Sequence, residues 1–459
     1  MISRHSLARP AQHAARLSCS AIPLRRRGFA AAASTGAFQT DEVSGLRVAS
    51  RDAHGPTAKL AIIAKAGTRY QPLPGLTVGL EEFAFKTTQR RSALRIQRES
   101  ELLGGQLAAS HTREVLVLEA SFLREDLPFF AELLAEVVSM TKYTTHELHE
   151  DVQRVLPYKQ AAVQASAPSL ALDNAHAVAF HTGLGAPVYL SSAAPYNKYL
   201  NEEYIASFAD LVYSKTNFAV VADGASPSNL SKWISQFFAD VPASSQSGQT
   251  LKIEASKYHG GEQRIDHDGR ENSMVIAFPG SDMTGSKPEI PVLASLLGGK
   301  PTIKWTHGFS LLGKDCAALP NLSVSASNMA YSDAGLLAIQ MSGPASSVRK
   351  AALATAKALK SVAEGSVKKE DVSRAIANAK FEALDKAQLR NPSMLLAGSG
   401  IVTRGKPSDV TEVVRSFDSV TADKAKVQAR AAWVRAYARY LMQYPGIKIW
   451  TSLESFHQN

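Results

Sequence analysis
Two adjacent carboxylates, Glu81 and Glu82, stand in the run Val78-Gly79-Leu80-Glu81-Glu82-Phe83, and paired carboxylates are candidates for general acid and base work. On a helix, adjacent residues point about a quarter-turn apart. No nucleophile or electrophile is evident beside them, so the pair reads as a relic and as surface. His146-Glu147-Leu148-His149-Glu150 has the residue types of a metal site. Its histidines are three apart, not the four of His-Glu-x-x-His, and the run opens a charged helix, so a solvated face is the better reading. His176 and His181, five apart, fall on different sides of a helix and make no ligand pair. Gly299-Lys300-Pro301-Thr302 lacks the first glycine of a phosphate loop and carries Pro301 at the Ser/Thr position, which argues against nucleotide binding. Cys316, followed by Ala317, Ala318 and Leu319, has the setting of a small buried residue and not of a reactive thiolate.

Cys19 and Cys316 are the only cysteines. They cannot hold an iron–sulfur cluster, and no C-x-x-C-H haem attachment motif is present, so the chain is not expected to carry electrons. No cofactor is expected. If Cys19 is lost with a cleaved leader, the remaining thiol has no internal partner, which fits a reducing compartment.

The elements that must position these residues can be read from periodicity. Lys59 to Ala66 alternates as a strand and ends at Gly67, and a helix comes next, from about Thr77 to Lys86. A second helix, Leu94 to Leu103, runs into the cap signal Gly104-Gly105, which leads to a strand from Val115 to Phe122. Arg124 to Met140 is helical, with Leu127, Phe130, Leu134 and Val137 on one stripe. Thr144 and Glu147 have the spacing of a capping box.

From Met1 to Ala33 there is no Asp or Glu, while Arg4, Arg9, Arg16, Arg25, Arg26 and Arg27 are spread among Ala, Ser and Leu. This is the composition of a mitochondrial transit peptide. Arg27-Gly28-Phe29-Ala30 has the form of a processing site cut after Phe29, giving a leader of residues 1–29 and a mature chain starting at Ala30. Loss of those six arginines lowers the formal charge from +10 to +4 (10 − 6), too little to argue for a nucleic-acid partner. The chain has 45% hydrophobic and 20% charged residues, a globular balance. No apolar run is long enough to span a membrane.

Pro242 to Gln249 is polar and small, without an apolar anchor. It divides the mature chain into domains at 30–241 and 251–459, with 242–250 as linker. Beyond it the order of elements repeats. A strand at Ser273 to Phe278, a helix at Pro291 to Leu297 and Gly298-Gly299 come first. Asn321 to Ala326 then matches Gly105 to Ser110, and a strand succeeds it at Gly335 to Met341. A helix with Val348, Ala352, Ala356, Leu359 and Val362 on one face and another from Lys368 to Leu389 complete the series. The offset is near 215 residues, from Leu107 to Leu322, which reads as two copies of one α+β domain.

Ala66-Gly67-Thr68-Arg69-Tyr70, together with Val78 to Thr88, resembles the signature region of the pitrilysin metallopeptidase family, and Gly105 to Glu114 is a further match. That family includes the mitochondrial processing peptidase and the core proteins of ubiquinol-cytochrome c reductase. In active members the second stretch carries His-x-x-Glu-His, two zinc ligands one turn apart with the Glu as general base. Here the histidine positions fall on Val78 and Glu82, and only the base position, Glu81, is kept. The third ligand, a glutamate on a later helix, maps near Tyr158. The resemblance therefore implies two sheet-and-helix domains around a cavity with no catalytic residues and no metal. Leu296 to Trp305, including Gly298 and Gly299, sits where the processing peptidase's non-catalytic subunit has a glycine-rich loop, but only as a remnant, and resembles the core proteins more. Membership of that branch implies a structural subunit of complex III, peripheral on the matrix side of the inner membrane. Its partners would be core protein 1, cytochrome b and the Rieske protein in a dimeric assembly. The alternative is the presequence-recognising subunit of the processing peptidase.

Overall fold
The strand β3 (Thr57–Ala64) explains the layering of the first half. Leu60 and Ile62 alternate with Ala61 and Ile63, and all four are fully buried, so both faces of the sheet must be covered. A computed structural model describes residues 37–52, 54–189, 200–266, 271–299, 308–421 and 423–424, which belong to one compact unit. The leader of residues 1–29, the cleavage-site residues Arg27, Phe29 and Ala30, and the run Lys300 to Trp305 lie outside the described residues.

Around β3 the sheet has the order β1-β2-β6-β3-β5-β4, with β1 (Gln39–Val43), β2 (Leu46–Arg51), β4 (Gln106–His111), β5 (Leu116–Leu123) and β6 (Phe218–Asp223). β2 and β6 run parallel, and the other neighbours are antiparallel. The face bearing Leu60, Ile62, Leu118 and Val220 is packed by α1 (Leu76–Phe83), α3 (Leu127–Met140), α6 (Glu202–Val212) and α7 (Pro227–Phe237). The expected stripe of Leu127, Phe130, Leu134 and Val137 is buried in this core. The helix α2 (Ala93–Leu102) is capped by Ser92, whose hydroxyl accepts from the Arg95 amide, and Gly104, at φ +69, turns the chain into β4.

The second half holds a sheet of order β7-β9-β8, formed by β7 (Asn272–Pro279), β8 (Ser323–Ala330) and β9 (Gly335–Gly343). Both pairings are antiparallel, as in β3-β5-β4, and the first strands are offset by 215 residues (272 − 57). Here α8 (Glu289–Leu297), α9 (Leu311–Asp315), α10 (Ala345–Glu364) and α11 (Lys369–Gln388) build the core. The repeat expected from element order is therefore present as a shared strand topology. The buried face of α10 is Val348, Ala351, Thr355, Ala358, Leu359 and Val362. Ala352 and Ala356 are only half-buried, because a methyl side chain marks a core position weakly.

Each sheet borrows a helix from the other half. Met394, Ile401 and Val402 of α12 (Arg390–Arg404) cover Ala49, Ala61, Ile63, Val117 and Val221 on the second face of the first sheet. Gly398 lets them approach, since a Cβ there would collide with Ile63 Cδ1. In return α5 (Ala167–Phe180) lies on β7 and β9, with Phe180 and Leu184 against Leu336, and Gln340 Nε2 donates to the Pro168 carbonyl at 2.7 Å. The polar run after Pro242 is tied to α6, where Asp210 accepts from the amides of Gln246 and Ser247 at 3.1 Å each.

Candidate functional site
The helix α1 begins at Gly75, held at φ +97. The Gln71 side chain caps it, accepting from the amides of Gly75 and Thr77 at 3.1 and 3.2 Å. Gly79 faces Ile205, which a Cβ would meet at 2.8 Å, so α1 sits tight on α6. Val78, Leu80 and Phe83 are buried in the core, and Val78, at 1% exposure, offers no lone pair to a metal. Glu81 and Glu82 occupy the adjoining stripe.

Neither carboxylate is surface, contrary to the expectation for this pair. Lys159 of α4 (Gln153–Ala165) inserts its ammonium between them, donating to Glu81 Oε1 at 2.9 Å and closing an ion pair with Glu82. The other oxygen of Glu81 meets Nδ1 of His111, the last residue of β4. The opposite nitrogen of that ring, Nε2, donates to the Val188 carbonyl at 3.0 Å. Tyr189 stands edge-on to His111 at 5.2 Å and lies 5.7 Å from the Lys159 ammonium. Burial pushes the Glu81 carboxyl up, yet the bonds from His111 and Lys159 outweigh it and hold the group below the usual carboxylate range. Burial pulls Lys159 down, but Glu82 and Glu81 outweigh it and raise the ammonium.

Tyr158, where the third ligand position was expected, is 76% exposed. Consecutive residues of a helix point about 100° apart, and it is the next residue, Lys159, that turns inward. The signal for His111 was its place in Gly105 to Glu114. Tyr189 had no sequence signal, because it reaches the site from a segment with no periodicity.

The run His146 to Glu150 behaves as read for its histidines, which are both exposed, but Glu147 is buried. The capping box does not form. Thr144 Oγ1 donates to Glu147 Oε2 at 2.7 Å and caps no amide, while Glu147 Oε1 accepts from the Thr87 amide at 3.0 Å. That carboxylate is spent on tying the end of α1 to the next segment. Gly298 ends α8 at φ +56 against Ser310, and Gly299 lies against β8 with its carbonyl accepting from Ser310 Oγ at 3.0 Å. Both glycines answer close approaches. Cys316 is buried, as expected.

A second polar cluster joins the two halves. The turn between β8 and β9 presents Tyr331, Ser332 and Asp333 to the first half. Asp333 accepts a two-pronged pair of bonds from Arg69 at 2.7 and 2.6 Å, and Glu114 accepts from the Ser332 amide and hydroxyl. The buried His176 keeps Nδ1–H on the Leu172 carbonyl at 2.8 Å. Burial, aided by the charge of Arg113, lowers its pKa to about 4.

A zinc ion is implied by the fold family, and the residues present do not fit it. Val78 lacks a donor, the carboxylates of Glu81 and Glu82 are engaged by an ammonium, and both nitrogens of His111 are committed. Among the described residues no group of three His, Cys, Asp or Glu side chains could hold a metal ion.

The profile of Insulinase (Peptidase family M16) matches residues 47–191, and that of the Peptidase M16 inactive domain matches residues 199–379. The chain belongs to the M16 peptidase family. Similar proteins are named cytochrome b-c1 complex subunit 2, mitochondrial. That of Neurospora crassa is 54% identical over 432 residues, covering 94% of both chains. That of Schizosaccharomyces pombe is 37% identical over 84% of this chain and 87% of its own. That of Mus musculus is 27% identical over 85% and 86%. The expected family and its α+β fold are thus borne out. Among the described residues no helix is long and apolar enough to cross a membrane.

Proposed function
We propose that this protein is core protein 2 of mitochondrial ubiquinol-cytochrome c reductase, a non-catalytic subunit with a structural and assembly role. The reading carries with it a leader of residues 1–29, cleavage between Phe29 and Ala30, and two peptidase-like domains, 30–241 and 251–459, separated by a linker at 242–250. It puts the mature chain on the matrix side of the inner membrane, peripheral to the bilayer, beside core protein 1 and in contact with cytochrome b and the Rieske protein.

The observation that carries the non-catalytic reading is the Lys159 ammonium seated between Glu81 and Glu82. Hydrolysis by a metal-bound water needs an ion held by neutral imidazoles and carboxylates, and the positions expected to supply them are Val78, Glu82 and Tyr158, with the Lys159 ammonium beside Tyr158 already engaging Glu82. The names of the relatives support the assembly. The alternative of a presequence-recognising peptidase subunit is disfavoured by Gly298 and Gly299, which are fixed by packing against Ser310 and β8.

The test is to solubilise mitochondria in mild detergent and find the assembly containing this chain by native gel and mass spectrometry. Co-migration with cytochrome b and the Rieske protein is expected. A soluble pair with a zinc-bearing partner that cleaves presequences would overturn the reading.

A further inference from the structure
The pair Glu81 and Glu82 raises a question that loss of catalysis alone does not answer. Two carboxylates one residue apart, with side chains 8% and 18% exposed, repel each other and lose hydration, so they persist only with a cation between them. In this chain the cation is covalently attached. We propose that Lys159 is a resident counter-ion, so that the site is a permanently filled cation site and Lys159 is the residue that keeps divalent metals out.

The geometry supports this at three points. The ammonium meets one oxygen from each carboxylate, which is how a small cation would bridge them. It joins α4 to α1, elements 78 residues apart at the contact, and so ties two helices together as a bound ion would. The remaining oxygen of Glu81 is taken by His111, whose far side holds the Val188 carbonyl, so the bridge extends through β4 to the segment bearing Tyr189. An arginine could repeat the charge. A neutral residue leaves Glu81 with His111 alone and removes the cation facing Glu82, a loss that proton uptake or an external ion would compensate, and a hard divalent cation suits carboxylate oxygen.

The experiment uses the full chain with Lys159→Met, Lys159→Arg and the double variant Lys159→Met/Glu82→Gln, melted in EDTA and with Mn2+ or Zn2+. Wild type and Lys159→Arg should melt at temperatures that metal does not shift. Lys159→Met should melt roughly 5 °C lower in EDTA and recover saturably with Mn2+ or Zn2+. In the double variant, part of the loss should return without metal and the metal response should vanish. If Lys159→Met is insoluble, the same comparison is read as soluble yield, which the second substitution should restore. Lys159→Met melting like wild type, or a metal response indifferent to Glu82→Gln, overturns the proposal and leaves the core-subunit reading standing. Stoichiometric metal uptake by wild type that Glu81→Gln abolishes overturns both.

Discussion

Tyr331 donates its hydroxyl proton to Nε2 of His176 across 2.8 Å, joining the tip of the second half's hairpin to α5 of the first. The acceptor role is fixed by the other ring nitrogen, whose proton goes to the Leu172 carbonyl. This imidazole works only when neutral.

Its pKa, lowered from 6.5 to about 4, therefore gives a pH dependence of definite sign. The folded value lies below the unfolded one, so the stabilisation is complete above about pH 6.5 and is lost as pH falls toward 4. The slope is at most about 1.4 kcal/mol per unit. Glu81 and Asp333 are held below 4.5 and 3.8, so their losses begin at lower pH. Urea unfolding of wild type and His176→Phe between pH 7 and pH 4 should give a shallower slope for the variant. Parallel slopes would refute the assignment.

Asp333 is the sole carboxylate in two-pronged contact with Arg69 among the described residues, and the guanidinium is 4% exposed. Stranding a buried charge costs about 3 kcal/mol, and because Glu114 still pairs with Arg69 the loss of Asp333 should cost less, about 2 kcal/mol. Asp333→Ala should lose that much in urea unfolding, and protease nicking within residues 243–249 should accelerate as the two halves part more often. Asp333→Asn, which keeps one acceptor oxygen for the guanidinium, should lose less.

Gly398→Ala tests the borrowed helix. The added methyl would overlap Ile63 and press on Val221, and overpacking of this kind costs about 1–3 kcal/mol. A glycine-to-alanine change on an open helix face gains about 1 kcal/mol, so the sign separates a packed interface from a loose one. Ile63→Val in the same chain should recover part of the loss in denaturant titration.

Tyr158→Ala should change the stability of the isolated chain by no more than about 0.5 kcal/mol, as expected for an exposed side chain. A large loss in thermal unfolding would mean that Tyr158, and not Lys159, turns toward α1.

Local pattern was enough to read β3, α1, α3 and the β7-to-β9 repeat, because alternation and the i, i+3, i+7 stripe report burial along one element. It was enough also for the loss of donors at Val78 and Glu82, which is a matter of residue type. It was not enough for the site. Glu81 meets His111 and Lys159 from 30 and 78 residues away, and a separation in sequence carries no sign of such a meeting. Neighbouring helix positions differ by about 100° in direction, so Lys159 can face inward while Tyr158 beside it faces out. β6 and α12 went unread as partners because their packing unites residues as distant as Val221 and Met394. Glu147 misled for another reason, since its spacing from Thr144 suits a cap while its carboxylate is spent on Thr87.

The exchange of helices between the halves also sets a timetable. Synthesis and threading into an organelle both deliver the amino-terminal part first. Ile63, Val117 and Val221 must then wait for Met394, Ile401 and Val402 before their face is covered. Throughout that interval a broad apolar sheet surface stands open to water and to neighbouring chains, the condition in which newly made proteins aggregate. A molecule built this way completes its core only when its last third arrives.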